Sequence, residues 1–490
     1  MRTILIFALL SIALASAAFG YGPTGHEIVG GIADKLLANT PAGTRVASLI
    51  DGISLEKAAV IADEIKAWDK SGVDNAQAFP HYPEHSKIDK QLREFWQANP
   101  PTLDRNSEIP SHHWFHYTDV PVLNLQRYAD GQTGRNQWDI VHMIPYCIAV
   151  LRSAIPENNP RKITKPVAVI LLAHYVGDVH QPLHVGAEYF NRDSGRAVDP
   201  DKDPGSIEDE GGNTIMLRLS RGTQEEMSKH GLKLHGFWDN EAVLDNLLLP
   251  AAIAKEERYA AIDTAKRRLI EQLAHEQPAN WRLPSNVPLK NYAEAWANEI
   301  LPIAHEAHER LQFINIRMQQ EQDRTVAAGT ALEKTGNDRV GYADWVTGIV
   351  REELQKAGWR LADLLSQATT STTSSDSLAA VATPVPTSSP TVKPSPTATP
   401  SSPTRSPLRG SPYGEYPLNY KEIVSAWLKA RRLDDSLIQW QGEPKAADIS
   451  IGPGLHLRGY VVIFNTPEQS QPKTRSVLIR NGTVISNSGF

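Results

Sequence analysis

The chain has one cysteine, Cys147, among its 490 residues. A lone thiol cannot close an intrachain disulfide, and it excludes a thiolate zinc finger or an iron–sulfur cluster. Net positive charge is also missing. The formal charge is −6 at neutral pH, which argues against a protein held to nucleic acid by a broad basic face. Beyond the N-terminus no apolar run is long enough to read as a membrane helix, and no internal repeat is visible. With 41% hydrophobic and 22% charged residues the chain is globular rather than disordered. Its length fits one large domain plus something smaller, or about three ordinary domains. Histidine is what the chain has in quantity: 16 residues, several at fixed offsets from aspartate.

Residues 1–20 read as a signal peptide. Arg2 supplies a short basic start, and the apolar run Ile4 to Ala15 is too short to span a bilayer. Cleavage after Gly20 and after Ala17 both leave small residues at the cut. The expectation is an exported protein, secreted or periplasmic. Without disulfides it needs another staple, and bound metal is one candidate.

From residue 21 to 367 the pattern is mostly helical. Pro166 to His180 starts with Thr164 as N-cap and Pro166 in the first turn. It is apolar nearly all round, which predicts a central, buried helix. A last helix is expected from Tyr342 to Leu365. Strand-like runs are few here, Asn213 to Leu219 being the best. Residues 368–411 turn abruptly to Ser, Thr and Pro and read as an extended linker. Residues 412–490 read as a small α+β module. It has a short helix over Tyr420–Ala430, a strand over Leu455–Asn465 and a hairpin about Asn481-Gly482.

The chemistry concentrates around His174 and Asp178, four apart on the buried helix and so on one face. Bare burial of such groups is costly, so they are paired or liganded. His184 follows after Gln181-Pro182 breaks the helix. On these residues alone, a metal site and a satisfied buried polar network both stay open. His235 and Asp239 repeat the spacing; alone they suit a solvated helix face. His26 opens a helix after Tyr21-Gly-Pro-Thr-Gly25. Asp63 alone would pass as a surface carboxylate. His116 lies close to His112 and His113.

In order, these pieces resemble the secreted, single-strand-specific, zinc-dependent nucleases of fungi and plants, which share a fold with the bacterial zinc phospholipases C. The resemblance runs from Tyr21 to about Leu365. It includes Gly177-Asp-x-His-Gln-Pro-Leu-His184, Gly211-Gly-Asn213 and the closing Ala357-Gly-Trp-Arg-Leu-Ala362. It implies a mainly α fold and three zinc ions. Asp63, His116, His174 and Asp178 would hold the first. His26, Asp178 as a bridge, and the amine and carbonyl of a mature N-terminal Tyr21 would hold the second. His184, His235 and Asp239 would hold the third. Three such ions would make a cationic pocket on an acidic protein.

The resemblance also implies the chemistry. Zinc-acidified water would attack phosphorus in line, oriented by Asp63, with Lys66 balancing charge on the phosphorane. Tyr117 would stack on a base, and Asp119 and Asn213 would bond its edge. Stacking requires an unpaired base, so the expected substrates are single-stranded RNA and DNA. Where the family usually begins with Trp, this chain has Tyr21. Its disulfides are absent. The loop from Glu188 to Glu210 carries Asp199, Asp201, Asp203 and Glu210. They resemble a calcium loop with the glycine displaced to Gly205, and suit a solvated acidic loop better. His112, His113 and His180 read as structural. The rival readings are a phospholipase C on the same fold and a non-catalytic, zinc-stabilised binding protein. Against the phospholipase stand the five-residue step from Tyr21 to His26 and Asp239, where those enzymes place Glu.

Overall fold

A computed structural model describes residues 21–68, 80–100, 111–219, 232–250, 253–321, 324–334, 340–370, 420–430, 438–441, 444–452, 455–466, 473–480 and 483–488. The expected signal peptide (residues 1–20), nearly all of the Ser/Thr/Pro stretch and the Asn481-Gly482 turn lie outside them. Contacts divide the chain into two compact units, Met1–Ala380 and Val381–Phe490. Among the described residues no helix is long and apolar enough to cross a membrane.

The first unit is mainly α. Its longer helices are α1 (Pro23–Leu37), α2 (Pro41–Leu49), α3 (Leu55–Trp68), α4 (Ser86–Ala98), α5 (Ile140–Leu151), α6 (Lys165–Asp178), α7 (Arg258–His275), α8 (Tyr292–Glu309) and α9 (Tyr342–Thr369). Helix α6 is the hub. The Thr164 hydroxyl caps its N-terminus by accepting from Val167 N, with Pro166 in the first turn. Every residue from Val167 to Asp178 is buried. The all-round apolar pattern thus places α6 at the centre, against α3, α5, α9 and α1. Helix α9 runs on to Thr369, past Leu365, because Ala368 still packs into the core.

Strands are more prominent than the sequence suggests. The predicted strand is β5 (Ile215–Arg218). Short pairs are β1 (Val120–Pro121) with β2 (Gly186–Ala187), and β3 (Tyr189–Phe190) with β4 (Ile207–Glu208). A long hairpin, β6 (Leu311–Glu321) and β7 (Arg324–Glu333), completes a three-stranded sheet in the order β5-β7-β6.

The second unit is α+β. Helix α10 (Tyr420–Ala430) lays Tyr420, Val424 and Leu428 in one core with Val462, Phe464, Val477 and Ile479. These come from β10 (Leu455–Thr466) and β11 (Lys473–Arg480), which pair with each other. The expected hairpin is present as β11 with β12 (Thr483–Ser488). Two further strands, β8 (Gln439–Trp440) and β9 (Lys445–Gly452), pair with β10.

Candidate metal centre

Helices α1, α3 and α6 cross at the point where the first ligand-type side chains meet. His174 and Asp178 project one turn apart from α6, and His174 Nε2 lies 3.1 Å from Asp178 Oδ2. The other Asp178 oxygen is 3.2 Å from His26 Nε2, on α1. His116 ends a short turn, His112–His116, and puts Nδ1 3.0 Å from Asp178 Oδ2 and 3.0 Å from His174 Nε2. Asp63, on α3, sets Oδ1 3.6 Å from His174 Nε2. The rings of His26 and His174 stack with centroids 3.7 Å apart. Gly177 allows this: a Cβ there would sit 2.9 Å from His26 Nδ1.

The third group is built on turns. His184 ends a single 3-10 turn, Pro182–His184. His235 lies in a short helical turn, Leu234–Gly236, which passes into a π turn, Phe237–Glu241, carrying Asp239. His235 and Asp239 are buried, so the solvated helix face that their spacing suggests in isolation is not what forms. His235 Nε2 lies 3.1 Å from His184 Nε2 and 3.3 Å from Asp239 Oδ2.

Three groups therefore converge, each with ligand atoms within 4.8 Å of one another: His26, His174, Asp178; Asp63, His116, His174; and His184, His235, Asp239. Three of the rings have one nitrogen committed elsewhere. His174 Nδ1 lies 2.6 Å from Ala59 O, His184 Nδ1 2.8 Å from His116 O, and His235 Nδ1 2.8 Å from Gly211 O. Donation there leaves each Nε2 lone pair facing the cluster, as a metal-ligating histidine requires.

The polar atoms have too few partners in the protein alone. His26 Nδ1 and Asp63 Oδ2 are buried without a hydrogen bond, and His26 Nε2, Asp178 Oδ1 and Asp63 Oδ1 have only ion-pair neighbours, His26 with Asp178 and Lys66 with Asp63. Each such atom costs roughly 1–3 kcal/mol if left so. Divalent cations suit this donor set of imidazole nitrogens and carboxylate oxygens.

Electrostatics separates the groups. Burial pushes the Asp63 carboxyl up, but Lys66, His174 and His116 outweigh it and bring it down to about 2. Asp178 is likewise held well below the usual range, because His174 and His184 overcome its burial. Burial, then the charge of His174, lowers His26 to about 4. Asp239 goes the other way. Burial, with Asp178 and Asp63 nearby, raises its carboxyl far above the usual range, against a hydrogen bond from Gln181.

Lys66 is buried, with Nζ 3.0 Å from Asp63 Oδ1. Tyr117 and buried Asp119 follow the His116 turn, and Thr118 N bonds His184 O at 2.9 Å. Asn213 follows Gly211, whose carbonyl faces His235, and donates Nδ2 to Glu210 O. Tyr117 and Asp119 thus connect to the third group through His184, and Asn213 connects through His235.

Tyr21 is fully buried and donates its hydroxyl to His180 O at 3.0 Å; Gly22 N bonds Asp239 O at 2.9 Å. His180 is structural: Nδ1 lies 2.6 Å from Val176 O and Nε2 2.9 Å from Arg360 Nη1. In the acidic loop, Asp199 accepts from Asn124, Asp201 from Thr133 and Asp203 from Asn191. Those carboxylates are engaged by protein donors.

Sequence reasoning passed over Gln181. Its Nε2 donates to Asp239 Oδ1 at 2.8 Å and its Oε1 accepts from Leu183 N, so it aims Asp239 and shapes the turn to His184. Its place between Asp178 and His184 was the available signal.

Fold and site together define a helical domain with three adjoining histidine–aspartate groups suited to divalent cations. Residues 21–370 match the family described as S1/P1 Nuclease, and the chain belongs to that family. Two curated relatives from Arabidopsis thaliana are similar over shorter stretches. Endonuclease 1 is 28% identical over 147 residues, 28% of this chain and 39% of the relative. Endonuclease 4 is 29% identical over 141 residues, 26% of this chain and 38% of the relative. The matches therefore span about two fifths of the length of these curated relatives.

Proposed function

We propose that residues 21–370 form an exported, zinc-dependent endonuclease. It hydrolyses phosphodiester bonds of single-stranded RNA and DNA to 5′-phosphorylated products and also has 3′-nucleotidase activity. The observation that carries this reading is the shared position of Asp178. Its two oxygens face His26 on one side and His116 and His174 on the other, so one carboxylate serves two adjoining groups.

Asp63, His116, His174 and Asp178 would hold one zinc, His26, Asp178 and the N-terminus of Tyr21 a second, and His184, His235 and Asp239 a third. Bound there, zinc supplies Lewis acidity and a water acidified toward neutrality. The protein's own groups do the rest. Asp63, kept ionised beside Lys66, orients the attacking water and accepts its proton. Lys66 balances charge gathering on the phosphate oxygens. Tyr117 stacks on an unpaired base, and Asp119 and Asn213 bond its edge, which disfavours a closed duplex. The buried seat of Tyr21 supports a mature chain that begins there, after export and cleavage behind Gly20.

The test is a zymogram on denatured DNA and RNA with and without chelator, alongside phosphatidylcholine hydrolysis, metal content and N-terminal sequencing. Chelator-sensitive nucleic-acid cleavage by a chain that starts at Tyr21 is expected. Phosphatidylcholine hydrolysis without nucleic-acid cleavage would reassign the substrate. Zinc without either activity would reassign the protein as a binder.

A further inference from the structure

A groove of about 340 Å³ lies on one face of the β5-β7-β6 sheet, lined by Lys233, Met216, Thr330, Asn315, Arg317 and Gln319 among others. Lys233 bridges to Met216 along the edge of β5 away from β7, and Met216 pairs across with Thr330. Arg317 stands on β6, at the far side. Lys233 and Arg317 thus face each other across three strand spacings, roughly 14 Å at about 4.8 Å each. Among the described residues neither has a carboxylate or hydrogen-bond partner for its side chain, on a chain of net charge −6.

The backbone is bent to bring them there. Ile314 pairs with Thr330, and the next pair is Arg317 with Ala328, so β6 spends three residues where β7 spends two. This bulge holds Asn315 at φ 52 and needs Gly329, where a Cβ would lie 2.4 Å from Ile316 Cδ1. Plain alternation after Ile314 would turn Ile316 and Met318 into the groove. The extra residue presents Arg317 and Gln319 instead. An apolar lining is exchanged for a cationic and amide one at the cost of a strained residue.

The groove adjoins the third group of ligands. Lys233 is two residues before His235, within about 7 Å of chain. Thr214, also in the lining, follows Asn213 directly. We infer that this groove is a phosphate subsite for the single strand beyond the base held at the metal centre, with Lys233 and Arg317 as its anion contacts and Gln319 and Asn315 as hydrogen-bonding partners. The inference rests on the nucleic-acid reading above. It means that the protein prefers polymers to the shortest cleavable substrates.

The test compares a twelve-residue oligothymidylate with a thymidine dinucleotide, using full-length protein loaded with zinc and the variants K233Q, R317Q and their combination. The ratio of kcat/KM for the long over the short substrate is expected to fall about tenfold in the double variant, mostly through KM. Binding of fluorescent oligothymidylate to the metal-free protein should lose about 1.4 from its logarithmic salt slope, two phosphates' worth for a single strand. K233E/R317E should exceed both effects, with thermal melting confirming that each variant is folded. An unchanged ratio and an unchanged salt slope would overturn the subsite. If the wild-type protein cuts neither substrate, the nuclease reading fails by itself. The salt slope then still decides whether the groove binds a strand.

Discussion

The first two ligand groups and the third are built on different kinds of backbone. In the first two, His26, Asp63, His174 and Asp178 stand on α1, α3 and α6, where helix packing sets the distances and Gly177 lets two rings stack, and His116 alone comes from a 3-10 turn. His184, His235 and Asp239 stand on a 3-10 turn, a three-residue helical turn and a π turn, aimed by Gln181 and by the Gly211 carbonyl. The charge states differ in parallel. Asp63 and Asp178 are favoured as anions by Lys66 and the surrounding histidines, whereas Asp239 is pressed toward its neutral form. The helix-borne groups are therefore preorganised for a cation. In the turn-borne group burial works against the ionised form of Asp239, so cation binding there is the more strongly coupled to proton release.

The largest break in that comparison is Asp178→Asn. An amide cannot neutralise or bridge two groups, so activity on denatured DNA should fall more than about a hundredfold, beyond the usual loss for an outer-shell partner. At least one zinc should disappear from mass spectrometry of the native protein. Three zincs with normal turnover would refute the bridge.

Gln181→Met probes the turn-borne group alone. It frees Asp239 Oδ1 and Leu183 N, and zinc affinity there should drop about ten- to hundredfold while the other sites hold. Competition with a graded series of chelators reads this directly. Uniform loss from all sites would mean that the two halves are one unit.

A third variant sharpens the contrast from outside the centre. Burial pushes Glu188 up to about 7, against His308 and with Asp209, from an ordinary 4.5. Its neutral form suits the fold. That contribution is present below about pH 4.5 and is lost as pH rises through about 7, up to roughly 3 kcal/mol. Glu188→Gln does not titrate. Its melting temperature relative to wild type should therefore improve from pH 5 to pH 8. A difference that is the same at both pH values would show that Glu188 does not titrate between them.

The smallest effect is expected from removing the second unit. The cut belongs after Thr370, not Gln367, because Ala368 is buried and Arg152 donates to Gln367 O. Cleavage of short oligonucleotides should stay within about twofold. Loss of cleavage with folding and metal content intact would show that the second unit completes the site.

Much of this was legible because pattern and burial agree. Helix α6 could be read from its cap and its all-round apolar surface, and the closing helix from its spacing. The β6–β7 hairpin could not. Its bulge breaks the alternation of Leu311–Glu321, and the Val326-Ala-Ala-Gly run carries little strand preference. At the site, spacing alone left His174 and Asp178 open between a metal site and a buried polar network, and the nine ligand positions followed only from the family resemblance; the backbone partners of the rings carry no sequence signal. Carbonyl groups at Ala59, His116 and Gly211 are set by topology, as is the burial that turns Asp63 and Lys66 from surface residues into an enclosed pair.

Helix α6 has no exposed side, and this bears on how the chain folds. A helix without a solvent face cannot persist before its neighbours arrive, because its stability comes from packing rather than local propensity. His174 and Asp178 therefore reach their partners only as the core closes. Cation supplied earlier meets scattered side chains, and the energy of its binding becomes part of the energy of folding. Refolding from denaturant should accordingly show metal uptake and core closure as one kinetic phase, and a chelator should act on the unfolding rate as well as on catalysis.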